Sequence, residues 1–126
     1  MGTSKLQEKI NSANAENCPV RLVVDRIGEK WAVLILMLLK ENTVMRYSEI
    51  HRSIGDISQK MLSQTLKSLE ADGLIFRRVY PVVPPKVEYG LKPMGEELYP
   101  LVHDLTVWAN MNLQNILENR RNFFEG

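Results

Sequence analysis

Residues 48–91 read SEIHRSIGDISQKMLSQTLKSLEADGLIFRRVYPVVPPKVEYGL. Ser48 suits the N-cap of a short helix running through Ile54, because its hydroxyl accepts from a first-turn N–H that has no helical partner. Ile50 and Ile54 share one face of that helix. Gly55-Asp56 is a turn signal, Ser58 caps a second helix reaching Ala71, and Gly73 supplies a left-handed stop. Leu74 to Tyr80 and Lys86 to Leu91 then read as an antiparallel pair, with Val87, Tyr89 and Leu91 alternating against Lys86, Glu88 and Gly90. Between them, Pro81-Val82-Val83-Pro84-Pro85 stiffens the tip and withholds backbone donors, which discourages edge pairing. The order is helix, turn, helix, hairpin, and it turns one helix outward in the manner of a fold that docks into a nucleic-acid groove.

The second helix carries the decisive pattern. Leu62, Leu66 and Leu69 follow the spacing of a buried stripe, while Lys60, Ser63, Gln64 and Lys67 repeat that spacing on the opposite side. With Ser58 and Gln59 at its start, this polar face offers hydrogen-bonding groups and positive charge. Glutamine pairs with adenine edges, and lysine reaches guanine or phosphate. Glu70 and Asp72 fall in or after the last turn, away from the N-terminal half that meets base edges in such helices. Arg77, Arg78 and Lys86 flank the hairpin tip. Successive strand residues point to opposite faces, so at most one of the two arginines is expected to face DNA. The bland alternative is a solvated face of an ordinary amphipathic helix, and the hairpin beside it weighs against that.

Outward from this stretch the chain is expected to be folded almost throughout. Leu6 and Ile10 give residues 3–14 a weak amphipathic pattern. Pro19 opens a helix from Val20 to Ile27, ended by Gly28, and Trp31 to Lys40 form an apolar central helix closed by Asn42 and Thr43. Val44 to Tyr47 suit a short strand. After Pro93 a long helix extends to about residue 121, with Leu98, Leu101, Leu105 and Trp108 on one stripe and a kink expected near its start from Pro100.

The 126 residues suffice for one hydrophobic core, and 44% hydrophobic with 25% charged residues is the balance of a soluble globular protein. The longest apolar run, Trp31 to Leu39, is well short of the roughly 20 residues that cross a bilayer. Residues 1–17 carry Lys5, Glu8, Lys9 and Glu16 without an apolar stretch, so a cytoplasmic protein without a membrane span is expected. Net charge is only +1, but residues 46–91 hold seven Lys/Arg against five acids, and residues 92–126 hold three against five. The cations gather where the polar helix face and the hairpin lie.

The CPV opening at Cys18, IGEKW at Ile27, RYSEI at Arg46, ISQKMLSQTLKSLEADGL at Ile57 and RRVYPVVPPKVEYGL at Arg77 together resemble the HxlR-type winged helix-turn-helix transcription regulators of the wider MarR-like group. The resemblance covers about Cys18 to Trp108. It implies a mainly α fold with a small antiparallel β-hairpin wing, and a homodimer that binds palindromic double-stranded operator DNA, most often as a repressor. It also implies an N-terminal arm or helix over residues 1–17, a DNA-binding unit over 18–92 and a C-terminal dimerisation helix over 93–126. Two positions depart from the family pattern. Glu29 stands where a second glycine is usual, and Lys92 stands where a threonine would cap the following helix.

Cys18 is the single cysteine, which excludes an internal disulfide framework. A thiolate at a helix start is favoured by the exposed N–H groups, and some relatives sense oxidants or electrophiles with a cysteine in this region. Sensing requires an exposed, acidified thiol; the bland reading is a small, inert, buried side chain. His51 and His103 lie on different helices without a metal-binding motif around them, and His51 is read as a surface or backbone-facing residue. No phosphate-binding loop, dinucleotide fingerprint or nucleophile elbow is present, so neither an enzyme nor a cofactor is expected. The rival reading is a winged helix that holds another protein instead of DNA. The effector is not written in these residues.

Overall fold

The computed structural model describes residues 18–126, and the expected arm over residues 1–17 lies outside the described residues. The elements are α1 (Pro19–Ile27), α2 (Ala32–Asn42), β1 (Val44–Arg46), α3 (Tyr47–Ile54), α4 (Gln59–Ala71), β2 (Ile75–Tyr80), β3 (Lys86–Leu91) and α5 (Pro93–Glu125). The order agrees with a winged helix-turn-helix. The strands form one antiparallel sheet in the order β1-β3-β2, so the hairpin gains a third strand. Val44, Met45 and Arg46 pair with Gly90, Tyr89 and Glu88.

α2 is the centre of the core. Ala32, Ile35, Leu36 and Leu39 are buried at the spacing of a single helical stripe, and they pack with Ile50, Leu62, Leu66, Leu69, Ile75 and Tyr89 from the surrounding elements. Lys40 reaches from α2 to Glu96 on α5 across 2.7 Å, and this contact raises the Lys40 pKa above its ordinary value.

Local chemistry explains the boundaries. α3 begins two residues earlier than Ser48 suggests: Arg46 is its N-cap, and the Glu49 carboxylate accepts from the Arg46 N–H at 2.8 Å. Glu49 thus satisfies the donor from inside the helix, half of a capping box, and no hydroxyl at position 48 is required. Ser58 caps α4 as expected, its Oγ accepting from Met61 N–H at 3.0 Å. Gly73 has φ +79° and α4 stops there, with Leu74 N–H donating to Leu69 C=O at 3.0 Å. At the head of α5, Lys92 makes no side-chain cap and Pro93 takes the first turn. Gly95 lies against the chain before β2; a Cβ there would come within 2.2 Å of the Leu74 carbonyl oxygen. α5 continues without interruption through Pro100, the expected site of a kink, and on to Glu125.

Candidate nucleic-acid interface

The first helix of the pair is stitched to the second through backbone carbonyls. Tyr47 and His51, one turn apart on α3, stack at 6.5 Å with rings 9° from parallel. The Tyr47 hydroxyl donates to the Gln59 carbonyl at 3.0 Å and lies 3.2 Å from Ser63 Oγ. His51 Nε2 is 3.0 Å from the Ile57 carbonyl, a hydrogen bond when that nitrogen carries the proton. These bonds fix the turn and therefore the angle of α4. The sequence left His51 as a surface or backbone-facing residue, and the Ile57 carbonyl decides for the second; it did not point to Tyr47, because the groups that Tyr47 reaches are 12 and 16 residues further on.

α4 turns Leu62, Thr65, Leu66 and Leu69 inward, and the buried Thr65 hydroxyl donates to the Met61 carbonyl at 2.8 Å. Ser58, Gln59, Lys60, Ser63, Gln64 and Lys67 are all exposed. They divide between two flanks. Ser63 and Lys67 line a cleft of about 300 Å³ between α4 and the wing, and Tyr47 and Arg77 line it with them. Gln64 faces the other way, into a cleft of about 360 Å³ shared with Lys30, Trp31 and Met61. Glu70 closes the far end of the wing-side cleft, one turn beyond Lys67. A carboxylate there marks the end of the stretch suited to phosphate, since like charges repel.

The wing separates its cations. Arg77 is opposite Tyr89 and shares the inward side with Ile75. Arg78 and Lys86 take the outer side: the Arg78 guanidinium lies 4.6 Å from the Phe76 ring, and Lys86 Nζ lies 5.0 Å from the Tyr80 ring. Arg78 Nη1 also meets the Tyr80 hydroxyl at 3.5 Å, and this contact raises the arginine pKa. Lys86 is 3.9 Å from the Glu88 carboxylate. Arg46, not singled out from the sequence, pairs in register with Glu88 from β1, so it belongs to the same outer side. The structure thus gathers Arg77 with α4 and sets Arg78 and Lys86 apart on the reverse of the sheet.

A family model described as HxlR-like helix-turn-helix matches residues 26–117. The chain belongs to the HxlR-like helix-turn-helix family. It is similar to the HTH-type transcriptional regulator YtfH of Escherichia coli, with 43% identity over 95% of this chain and 96% of the relative. A solved structure described as a transcriptional regulator, YtfH of Salmonella typhimurium, is 44% identical, covers 86% of this chain and 96% of its own, and superimposes with a TM-score of 0.75. The redox regulator HypR in its reduced form is 39% identical over 80% of this chain and 98% of its own, with a TM-score of 0.73. The protein is therefore a transcriptional regulator of the helix-turn-helix class, a DNA-binding protein and not an enzyme.

Within this family frame, Cys18 is 3% exposed. The exposure that direct sensing requires is absent in this conformation. Glu29, at the position where a glycine is usual, pairs with Arg26, which also holds Asp72 at the end of α4. Among the described residues no helix is long and apolar enough to cross a membrane, and no three His, Cys, Asp or Glu side chains form a metal-binding group.

Proposed function

We propose that the chain acts as a homodimer that binds a palindromic operator and represses by occluding a promoter, in the cytoplasm. The observation that carries this reading is the convergence of Ser63 and Lys67 with Arg77 across the wing-side cleft, with Lys60 exposed one turn before Ser63 on α4. Such a surface suits one strand of phosphates beside a major groove, with Gln59 and Gln64 directed at base edges. Dimerisation spaces two copies of α4 by one helical turn of DNA, about 34 Å. The wing's outer cations, Arg78 and Lys86, serve a second backbone contact. The partition that follows is a DNA-binding unit over 18–92, with the helix over 93–126 and the arm over 1–17 given to the dimer.

An electrophoretic shift with DNA from immediately upstream of the chain's own gene tests this reading. A shifted band that survives excess nonspecific DNA is expected; no specific shift, together with capture of a protein partner through α4, would establish the rival interaction module.

A second reading has its own support: HypR, a redox regulator, is among the similar structures, and Cys18 stands at the head of α1. In this reading oxidant releases the DNA through Cys18, and burial makes the reaction depend on opening of the structure around the head of α1. Cys18→Ser then binds operator normally and ignores oxidant. A serine variant that still lets go under oxidant removes this branch and leaves the first reading intact.

A further inference from the structure

α4 has two flanks, and the wing-side cleft accounts for one of them. A helix with its side chains is about 10–12 Å across, and the major groove is about 12 Å wide. Both flanks of a seated helix therefore come up against sugar-phosphate backbone, one strand on each side. On the operator-binding reading, on which this inference rests, Ser63, Lys67 and Arg77 meet the wing-side strand. The other strand then passes the cleft of about 360 Å³ between α4 and the chain that leads into α2.

The lining of that cleft suits a phosphate. Lys30 is exposed, and among the described residues no carboxylate pairs with it. Its Nζ stands 4.9 Å from the centre of the Trp31 ring, a contact that steadies the side chain without cancelling its charge. Trp31 packs against the core that also holds α4, so the platform under the ammonium is fixed relative to the helix. Gln64 and Ser68, one turn apart on α4, add an amide and a hydroxyl to the same cleft. Glu29 lines it too, but its carboxylate is held by Arg26 Nη1.

We propose that Lys30 binds a phosphate of the strand that Lys67 and Arg77 do not touch, so that α4 is clamped between both strands of the groove. Gln64 and Ser68 border the same phosphate or its sugar from the helix side. Lys30 precedes α2 and belongs neither to the helix-turn-helix pair nor to the wing. Helical spacing within α4 therefore gives no sign of it.

Ethylation interference on the DNA from immediately upstream of the chain's own gene tests this, because an ethylated phosphate blocks binding where the protein contacts it. The full chain is expected to give two sets of blocking phosphates in each half-site, one on each strand. Lys30→Ala should lose one set and keep the other, and Lys67→Ala with Arg77→Ala should do the reverse. In Lys30→Ala the slope of log affinity against log salt should flatten by about 0.9. Lys30→Arg keeps the charge and should keep both the set and the slope. An unchanged slope in Lys30→Ala, or loss of phosphates from the same strand as in the double variant, would overturn the proposal. So would Lys30→Arg behaving like Lys30→Ala, since the effect would then come from the shape of the Trp31 contact and not from charge. No specific complex with the unaltered chain would overturn the operator reading and this proposal together, whereas a specific complex indifferent to Lys30 overturns this proposal alone.

Discussion

Arg77 and Arg78 are adjacent in sequence and separated by the sheet in space. Lys60→Ala with Lys67→Ala should remove two phosphate contacts and flatten the slope of log affinity against log salt by about 1.8, read from fluorescence anisotropy of labelled operator over a salt series. Arg77→Ala should subtract about 0.9 more, whereas Arg78→Ala changes affinity without loosening the α4 contact, because its guanidinium is held over Phe76 on the reverse side. Two independent contacts should add, so a double variant that binds no more weakly than Arg77→Ala alone would contradict that division. Strand alternation made it plain in the sequence that the arginines must part. Which one joins α4 depends on the pairing of β2 with β3 and on Tyr89 being the buried partner of Arg77, and no local pattern encodes that. Tyr47 was equally hidden. Tyr47→Phe keeps the ring and removes a hydroxyl bonded to the Gln59 carbonyl, so we expect a loss of about 0.5–1.5 kcal/mol in urea unfolding.

At the scale of elements, residues with one dominant local role were legible. Ser58 and Gly73 bound α4 as their chemistry dictates, and Pro93 opens α5. The start of α3 was not, because two residues compete for it. Ser48 is a good cap by type, yet Glu49 reaches back to the Arg46 N–H and β1 pairing carries extended backbone up to Arg46. The third strand had the same difficulty: three residues carry too little periodicity to show that they pair with β3. Two glycines separate conformational from steric demands. At Gly73 an added methyl finds open space apart from Met94 Cε at 3.7 Å, so Gly73→Ala costs about 1–2 kcal/mol through its left-handed backbone. At Gly95 the methyl would strike the Leu74 carbonyl, and repacking α5 against that loop should cost more, up to about 3 kcal/mol. Thermal unfolding of both variants checks the order, and a milder effect at Gly95 would show that α5 shifts freely against the loop.

For the molecule as a whole, α5 poses the largest demand. Its 33 residues span about 50 Å, but its buried positions end at Val102. The sequence showed one stripe through Leu98, Leu101, Leu105 and Trp108. Periodicity does not say where a stripe stops serving its own chain, and the structure divides it: Leu98 packs on the core, while Leu101 is 68% and Trp108 57% exposed. Further on, Met111 is 76% exposed. A helix with this much uncovered apolar surface is marginal alone in water and gains its stability from packing. The proposed dimer supplies that packing, so its disruption should be felt in three measurements together. Leu105→Glu with Trp108→Glu should turn a dimer into a monomer in sedimentation equilibrium. Tm should lose its dependence on protein concentration. Affinity for the full palindrome should fall toward that for a half-site, because the second α4 no longer binds as part of the same particle. The core contacts of Leu62, Leu66 and Leu69 with α2 lie elsewhere, so the monomer keeps its helix-turn-helix and its half-site affinity. A variant that remains dimeric would move the interface to α1 or to residues 1–17, and one that loses half-site binding as well would mean that α5 is needed to hold α4 itself.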